Sequence, residues 1–141
     1  MVHDIQASLH AMMAENNAKL TIVNPDMELN VYPTHFHRIL LNLIQNGIKF
    51  RQEETPKIIV KASETRNYWQ IEVEDNGIGI EEEQLPHIFK LFYHKNLKSN
   101  SESHGIGLSV VRRLVQEHEG SIRVKSEVGK GTTFIFTILK A

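Results

Sequence analysis

The sequence has no cysteine among its 141 residues, so no disulfide framework supports the fold. Its 16 basic and 17 acidic side chains give a net charge of −1, which argues against a surface for nucleic acid or for acidic substrates. No apolar run approaches the length of a membrane span or of a signal sequence, and no internal repeat is visible. The length suits one domain with its own core, and the lack of cysteine is compatible with a reducing cytoplasm.

A run of glycines and one carboxylate, from Asp75 to Ile80 (DNGIGI), follows a predicted strand. Residues 68–73 alternate apolar and polar side chains, which is the period of a half-buried strand. Glycine lets a backbone approach a flat ligand closely, and a carboxylate accepts a hydrogen bond from an exocyclic amine. The run therefore predicts a ligand pocket, although Asp-Asn-Gly alone is also typical of a plain turn.

A helix is predicted upstream of this run, beginning at a cap on Thr34. Its apolar positions, at helical spacing, are Phe36, Ile39, Leu40, Leu43, Ile44, Gly47 and Ile48. At about 100° per residue, Asn42, Asn46 and Lys49 share a narrow stripe beside the apolar face. An asparagine oxygen is a hard, neutral ligand suited to Mg²⁺, and a lysine attracts a phosphate. The stripe predicts a phosphate and metal site, with a solvated helix edge as the alternative.

Two further segments carry glycines. The polar stretch 96–104 has only Leu97 as an apolar residue and is predicted to be a mobile loop. The next residues, 105–108 (GIGL), open a helix that is predicted to end near Gly120, and glycines there expose N–H groups to an anion. Residues 129–133 are predicted to form a hairpin turn between two strands.

In this order, the motifs resemble those of the catalytic, ATP-binding domain of bacterial sensor histidine kinases, in the superfamily shared with gyrase, the heat-shock chaperone and the mismatch-repair ATPase. The matching segments are 42–50 for the N box, 75–80 for the G1 box, 89–92 for the F box, 105–108 for the G2 box and 129–134 for the G3 box. The resemblance extends from about residue 20 to residue 139.

The fold that follows is a two-layer α/β (α+β) sandwich. We expect a mixed, largely antiparallel sheet with three helices on one face, and a mobile ATP lid. The predicted strands are residues 20–23, 30–32, 57–63, 68–75, 121–126 and 133–139.

The resemblance implies a role for each matching residue. Asp75 would accept a hydrogen bond from the adenine amine, and Asn46 would ligate Mg²⁺ with Asn42 beside it and Lys49 on the phosphates. The implied nucleotide-binding set also contains Gly77, Gly79, Ile80, Tyr93, Lys98, Gly105, Ile106, Gly107, Leu108 and Thr132. Gly47 replaces a common alanine and should lower helix stability without affecting the chemistry.

The lid begins, by the same resemblance, at Tyr93, His94 and Lys95. His94 stands where many members of the family have an arginine near the γ-phosphate. A guanidinium is always charged and bidentate, whereas histidine is largely neutral at cellular pH, so Lys95 or Lys98 would have to supply the charge. The implied catalytic group is therefore Asn46, Lys49, His94 and Lys95.

The implied reaction is transfer of the γ-phosphoryl group of ATP, with Mg²⁺, to a histidine on a separate phosphoacceptor and dimerisation domain of the same protein. A response regulator would be an indirect partner. This domain is not expected to bind nucleic acid or to contact a membrane directly. The fragment alone is expected to be monomeric and cytoplasmic. The full-length parent is expected to be a homodimer, either anchored in a membrane or free. Two alternatives stay open: a serine kinase of the anti-sigma-factor type, and a nucleotide-sensing module without catalysis, because of His94.

Residues 1–19 are predicted to form a helical segment, since Ile5, Leu9, Met12 and Met13 recur at helical spacing. The resemblance implies that this segment is the tail of the dimerisation and phosphotransfer hairpin and that residues 20–141 are the catalytic domain. His3 is not expected to be the phosphoacceptor, and the chain is expected to be a fragment of a longer protein.

Overall fold

The computed structural model describes residues 3–24, 28–90 and 107–140. Along the chain these residues form α1 (His3–Glu15), β1 (Lys19–Val23), α2 (Pro33–Lys49), β2 (Lys57–Glu64), β3 (Tyr68–Asp75), a short 3₁₀ helix (Glu82–His87), α3 (Gly107–Glu117), β4 (Ile122–Glu127) and β5 (Gly131–Leu139). The lid residues from Tyr93 to His104, predicted to be mobile, lie outside the described residues.

The five strands form one sheet in the order β1-β2-β3-β5-β4. Strand β1 pairs with β2 in parallel, and the other three pairs are antiparallel. Because side chains alternate between the two faces of a strand, one face gathers the buried side chains. Those are Ile58, Val60, Ala62, Ile71, Val73, Phe134, Phe136 and Ile138. The predicted mixed, largely antiparallel sheet with helices is confirmed.

Helix α2 lies against the apolar face of the sheet and carries much of the core. Its buried residues are Phe36, Ile39, Leu40, Leu43, Ile44, Gly47 and Ile48, all as predicted. The predicted cap at Thr34 is wrong, because Tyr32 is the N-cap and Pro33 occupies the first turn without a side-chain cap hydrogen bond. Proline suits that position since it has no N–H to satisfy and its φ is already helical.

The predicted strand at residues 30–32 is also wrong, because residues 28–32 form no strand. Leu29 and Val31 are partly buried against the core, which explains the apolar alternation in the sequence. Tyr32 is extended, with φ −72° and ψ 113°, as expected for a residue that precedes a proline. An extended backbone that leads into a helix thus resembled a strand.

Helix α1 belongs to the same core as the rest of the domain. Leu9 and Met13 are buried in it, Met12 packs beside them, and the helix ends before β1 as predicted. Asn16 accepts a hydrogen bond of 3.0 Å from Arg51, beyond the end of α2. Helix α1 therefore packs with the rest of the described chain, while the division at residue 20 and the continuation of α1 into a hairpin stay predictions.

Two histidines connect the start of α2 to the end of α3. Nδ1 of His35 lies 2.9 Å from Nε2 of His118, and both rings contact the ring of Tyr32.

In the described ranges, no helix has the length and apolar character that crossing a membrane requires.

Candidate functional site

Asp75 ends β3 and lies between Ile58 of β2 and Thr132 of β5. Its Oδ1 accepts a hydrogen bond of 2.8 Å from the backbone N–H of Gly77, and the backbone of Thr132 donates a second one to the carboxylate. Burial raises the pKa of Asp75 above its ordinary value, while these two hydrogen bonds act in the opposite direction. Asp75 is thus a shielded acceptor, as its position in the sequence predicts.

The two glycines after Asp75 make room for the protein's own backbone. A Cβ on Gly77 would lie 2.7 Å from the carbonyl oxygen of Phe50, and a Cβ on Gly79 would collide with the carbonyl of Glu127. Gly79 also has a φ of 82°, a backbone conformation that residues with a side chain rarely adopt. Beyond any approach to a ligand, these glycines therefore let the turn after β3 touch two other segments.

A hydroxyl cluster closes the same end of the sheet. Oγ of Ser126 accepts a hydrogen bond of 2.7 Å from the N–H of Ile80 and lies 2.8 Å from Oγ1 of Thr132. Ser126 also donates to the carbonyl of Gly131, at 3.0 Å. Thr132 is the one buried polar residue in the described part of the chain. Thr132 was predicted as a site residue, whereas Ser126 was missed because a serine in a strand carries no local signal.

Gln52 was also missed. Its side-chain amide reaches the carbonyls of Asn76, Gly77 and Gly129, which belong to two different turns. Phe50, two residues earlier, accepts a hydrogen bond of 2.9 Å from the N–H of Ile78. The segment after α2 thus holds the turn after Asp75 by hydrogen bonds from Gln52 and to Phe50.

The predicted polar stripe lies on the second half of α2. Asn42 and Asn46 are half-buried, and Lys49 is exposed with its Nζ 5.1 Å from the centre of the Phe50 ring. Nδ2 of Asn42 lies 3.5 Å from the carbonyl oxygen of Gly107, the first residue of α3. The stripe therefore faces the start of the helix that was predicted to meet an anion.

Gly47 connects the stripe to Asp75. A Cβ on Gly47 would lie 2.9 Å from Cβ of Asp75, so α2 and the end of β3 are in direct contact at this point. Helix α2 thus contacts Asp75 through Gly47 and contacts the start of α3 at Gly107 through Asn42. Asn46 lies between these two contact points on the helix.

The remaining predicted residues divide into two groups. Leu108 and Ile80 are half-buried and pack against the core, and Phe89 of the predicted F box contacts Phe134 with ring centres 6.1 Å apart. Six others lie outside the described residues, namely Tyr93, His94, Lys95, Lys98, Gly105 and Ile106.

The donor groups on α2 suit a hard cation that is mostly held by other ligands. Magnesium keeps several waters and binds through one or two protein oxygens together with substrate phosphates. The carboxamides of Asn42 and Asn46, one helical turn apart, can supply such oxygens. In the described ranges, no group of three or more His, Cys, Asp or Glu side chains could hold a metal. The set therefore fits a metal that arrives with a phosphate ligand.

Comparison with known protein families gives one match over most of the chain. The family described as "Histidine kinase-, DNA gyrase B-, and HSP90-like ATPase" matches residues 31–141. Among curated proteins, the sensor histidine kinase YclK of Bacillus subtilis is 35% identical over 138 residues, 95% of this chain and 29% of its own length. The cyanobacterial phytochrome A of Nostoc is 35% identical over 131 residues, 93% of this chain and 17% of its own length. This chain therefore spans less than a third of either relative.

Solved structures share the fold. The catalytic domain of the histidine kinase ThkA has a TM-score of 0.79 and 26% sequence identity, covering 97% of this chain and 90% of that domain. Full-length ShkA in complex with AMPPNP has a TM-score of 0.80 and 23% identity, covering 98% of this chain and 30% of that protein.

Proposed function

Since this chain belongs to the family of histidine kinase-, DNA gyrase B- and HSP90-like ATPases and is homologous to the catalytic domains of sensor histidine kinases, we propose that it binds ATP with Mg²⁺ and transfers the γ-phosphoryl group to a histidine. The acceptor would be on a separate dimerisation domain of the same protein. The parent would be a homodimer that passes the phosphoryl group on to a response regulator.

The observation that carries the proposal is the contact between Asp75 and α2. The half-buried carboxylate of Asp75 would lie at one end of a nucleotide site and the stripe of carboxamides at the other, and α2 contacts Asp75 at Gly47. Helix α2 thus carries the carboxamide stripe and also contacts the end of β3 at Asp75. Of the solved structures with this fold, that of ShkA is a complex with AMPPNP, an ATP analogue.

Each side chain would have a defined task. Asp75 accepts a hydrogen bond from the adenine amine, and the buried Thr132 lies beside it. Asn46 would hold the metal with Asn42 beside it, and Lys49 would attract the phosphates. Magnesium would neutralise charge on the phosphate oxygens during transfer.

The chemical step needs little from this domain. The bond between the γ-phosphorus and the oxygen that bridges it to the β-phosphate breaks, ADP leaves, and a histidine nitrogen forms the new bond to phosphorus. Because the nucleophile comes from another domain, the residues described here orient the nucleotide and balance its charge. The N–H groups that open α3 at Gly107 would help to hold the phosphates.

Radiolabelled ATP tests the proposal. The chain alone, the phosphoacceptor hairpin of its parent alone, and the two mixed are incubated with labelled ATP and Mg²⁺. We expect acid-labile label on the hairpin in the mixture only, formed slowly because covalent linkage no longer raises the local concentration. The Asp75→Asn variant is the control for dependence on the site, and it should label the hairpin less.

Two results would contradict the proposal, each in favour of a different function. Acid-stable label on a partner serine would indicate a serine kinase. Absence of label in every mixture, with ATP binding measured in the same preparation, would indicate a nucleotide-sensing module.

A further inference from the structure

The side-chain amide of Gln52 meets three backbone carbonyls. Its Nε2 lies 2.9 Å from the oxygen of Gly77, 3.0 Å from that of Gly129 and 3.2 Å from that of Asn76. Because all three neighbours are acceptors, the amide nitrogen and not the amide oxygen must face them. Gly77 and Asn76 belong to the turn after β3, and Gly129 belongs to the hairpin between β4 and β5. One side chain thus joins the segment after α2 to both turns.

The peptide groups of Gly77 connect this amide to Asp75. The carbonyl of Gly77 accepts from Gln52, and the N–H of Gly77 donates to Oδ1 of Asp75 at 2.8 Å. A carboxylate keeps one orientation only while its donors stay fixed. Without the amide, the carbonyl of Gly77 loses its hydrogen bond to Gln52, and the backbone around Gly77 is held less firmly.

The hairpin is tied to the same place. The N–H of Gly129 donates to the carbonyl of Ile78 at 2.8 Å, and its carbonyl accepts from Gln52. The hairpin leads directly into Thr132, whose backbone is the second donor to Asp75. Gln52 therefore contacts both segments that supply hydrogen bonds to the carboxylate.

We propose that Gln52 is a positioning residue for the nucleotide, which sets the orientation of Asp75 by holding the Gly77 and Gly129 turns together. The proposal rests on the function proposed above, because it assigns Asp75 to the adenine. A purely space-filling role would require the length of the side chain but not its N–H groups. The amide has two hydrogens for three acceptors, so one hydrogen is shared, and an acceptor in this position would be repelled by all three carbonyls.

Two isosteric variants separate these roles. Gln52→Met keeps the length and removes the donor, and Gln52→Glu replaces the donor with an oxygen. Gln116→Glu, at an exposed position of α3, is the control for the added charge. We expect calorimetry with ADP to show about tenfold weaker binding for Gln52→Met and a larger loss for Gln52→Glu, with Gln116→Glu close to the wild type.

A second measurement does not depend on nucleotide. In the apo protein, the amide hydrogen of Gly77 should exchange at least about tenfold faster in Gln52→Met than in the wild type, while amides in the centre of β3 keep their rates. Wild-type ADP affinity and an unchanged Gly77 exchange rate in Gln52→Met would overturn the proposal. Equal acceleration throughout the sheet would also overturn it, because that would show general destabilisation.

The two measurements also keep the proposals apart. If wild-type protein fails to bind ADP, the proposed function fails, and the Gly77 exchange rates still decide whether Gln52 positions the turn.

Discussion

Gly47 of α2 lies in direct contact with Asp75 of β3, so a side chain at Gly47 would crowd the carboxylate. A Cβ built on Gly47 would be 2.9 Å from Cβ of Asp75 and 3.1 Å from its Oδ2, and 2.9 Å from Cδ1 of Ile58. The Ile58 methyl group can rotate away, whereas Cβ of Asp75 is fixed by the backbone of β3. The absence of a side chain at Gly47 thus sets where the carboxylate lies.

A Gly47→Ala variant should separate stability from binding. Alanine favours a helix by about 1 kcal/mol over glycine, but an added methyl group 2.9 Å from Cβ of Asp75 forces α2 or the end of β3 to shift. We therefore expect weaker ADP binding by calorimetry, with a melting temperature close to that of the wild type. The Gln45→Ala variant, at an exposed position of the same helix, should bind ADP normally. Normal ADP affinity in Gly47→Ala would show that the carboxylate tolerates the displacement.

The Asp75→Asn variant should lose the preference for adenine. A donor would replace one acceptor oxygen opposite the adenine amine, at a cost of about 1–3 kcal/mol, or roughly 5- to 150-fold in affinity. Calorimetry with ADP and with GDP measures the preference directly. Glu74→Gln makes the same chemical change on the opposite face of β3 and should keep the wild-type values. If Asp75→Asn and the wild type bind ADP equally, Asp75 does not contact the adenine.

The stability of the protein without nucleotide should depend on pH through Asp75. Burial raises its folded-state pKa above the ordinary 3.8, so the folded chain holds a proton that the unfolded chain has already released. This contribution to stability is fully present below pH 3.8 and is lost as the pH rises through the higher folded-state pKa. Asparagine does not titrate. The melting temperature of Asp75→Asn minus that of the wild type should therefore increase with pH across this window, and a constant difference would contradict the raised pKa.

Removing the carboxamide of Asn46 should reduce the effect of Mg²⁺ on ATP binding. A ligand that binds only the folded state stabilises it by about 2.7 kcal/mol at a concentration a hundred times its Kd, and each tenfold loss of affinity removes about 1.4 kcal/mol. We expect Asn46→Ala to show a smaller increase in melting temperature when Mg²⁺ is added to ATP. Gln45→Ala is the matched control on the neighbouring exposed position. Identical Mg²⁺-dependent shifts in Asn46→Ala and the wild type would exclude Asn46 as a ligand.

Helix α1 should contribute to the stability of the nucleotide-binding domain itself. Leu9 is fully buried in the common core, and truncating a buried leucine to alanine costs about 2–5 kcal/mol. Chemical denaturation should show this loss for Leu9→Ala as one cooperative transition of the whole domain. His10→Ala, exposed on the same helix, should change the free energy of unfolding by less than about 0.5 kcal/mol. A separate early transition would show that α1 unfolds independently.

The periodicity of the sequence was sufficient to predict the core of α2. Burial requires one apolar side chain at every third or fourth position, and all seven predicted positions are buried. The placement of Asp75 and its glycines at the end of β3 could be predicted as well, because they follow the strand directly in the chain, while their role in binding stays a prediction. Local chemistry was enough in both cases.

Contacts between distant segments could not be predicted in this way. Gln52 meets Gly77 and Gly129, which are 25 and 77 positions away, and nothing next to Gln52 in the sequence indicates either contact. Gly47 was expected only to weaken its helix, because helix propensity is a local property, whereas its contact with Asp75 is tertiary. The strand predicted at residues 30–32 failed for the same reason, since packing against the core and not strand pairing explains its apolar pattern.

The close approach of main chains around Asp75 also determines which positions there can carry a different side chain. A Cβ on Gly131, which has a φ of 136°, would collide with the carbonyl of Asp75, just as one on Gly79 would collide with that of Glu127. The shape of this end of the site is therefore set by backbone, while the neighbouring Ile78 and Val128 side chains are 39% and 61% exposed. Substitutions at these two positions can accumulate without reshaping the pocket. The surface beside Asp75 can thus be varied one side chain at a time while the main-chain contacts that surround the carboxylate stay in place.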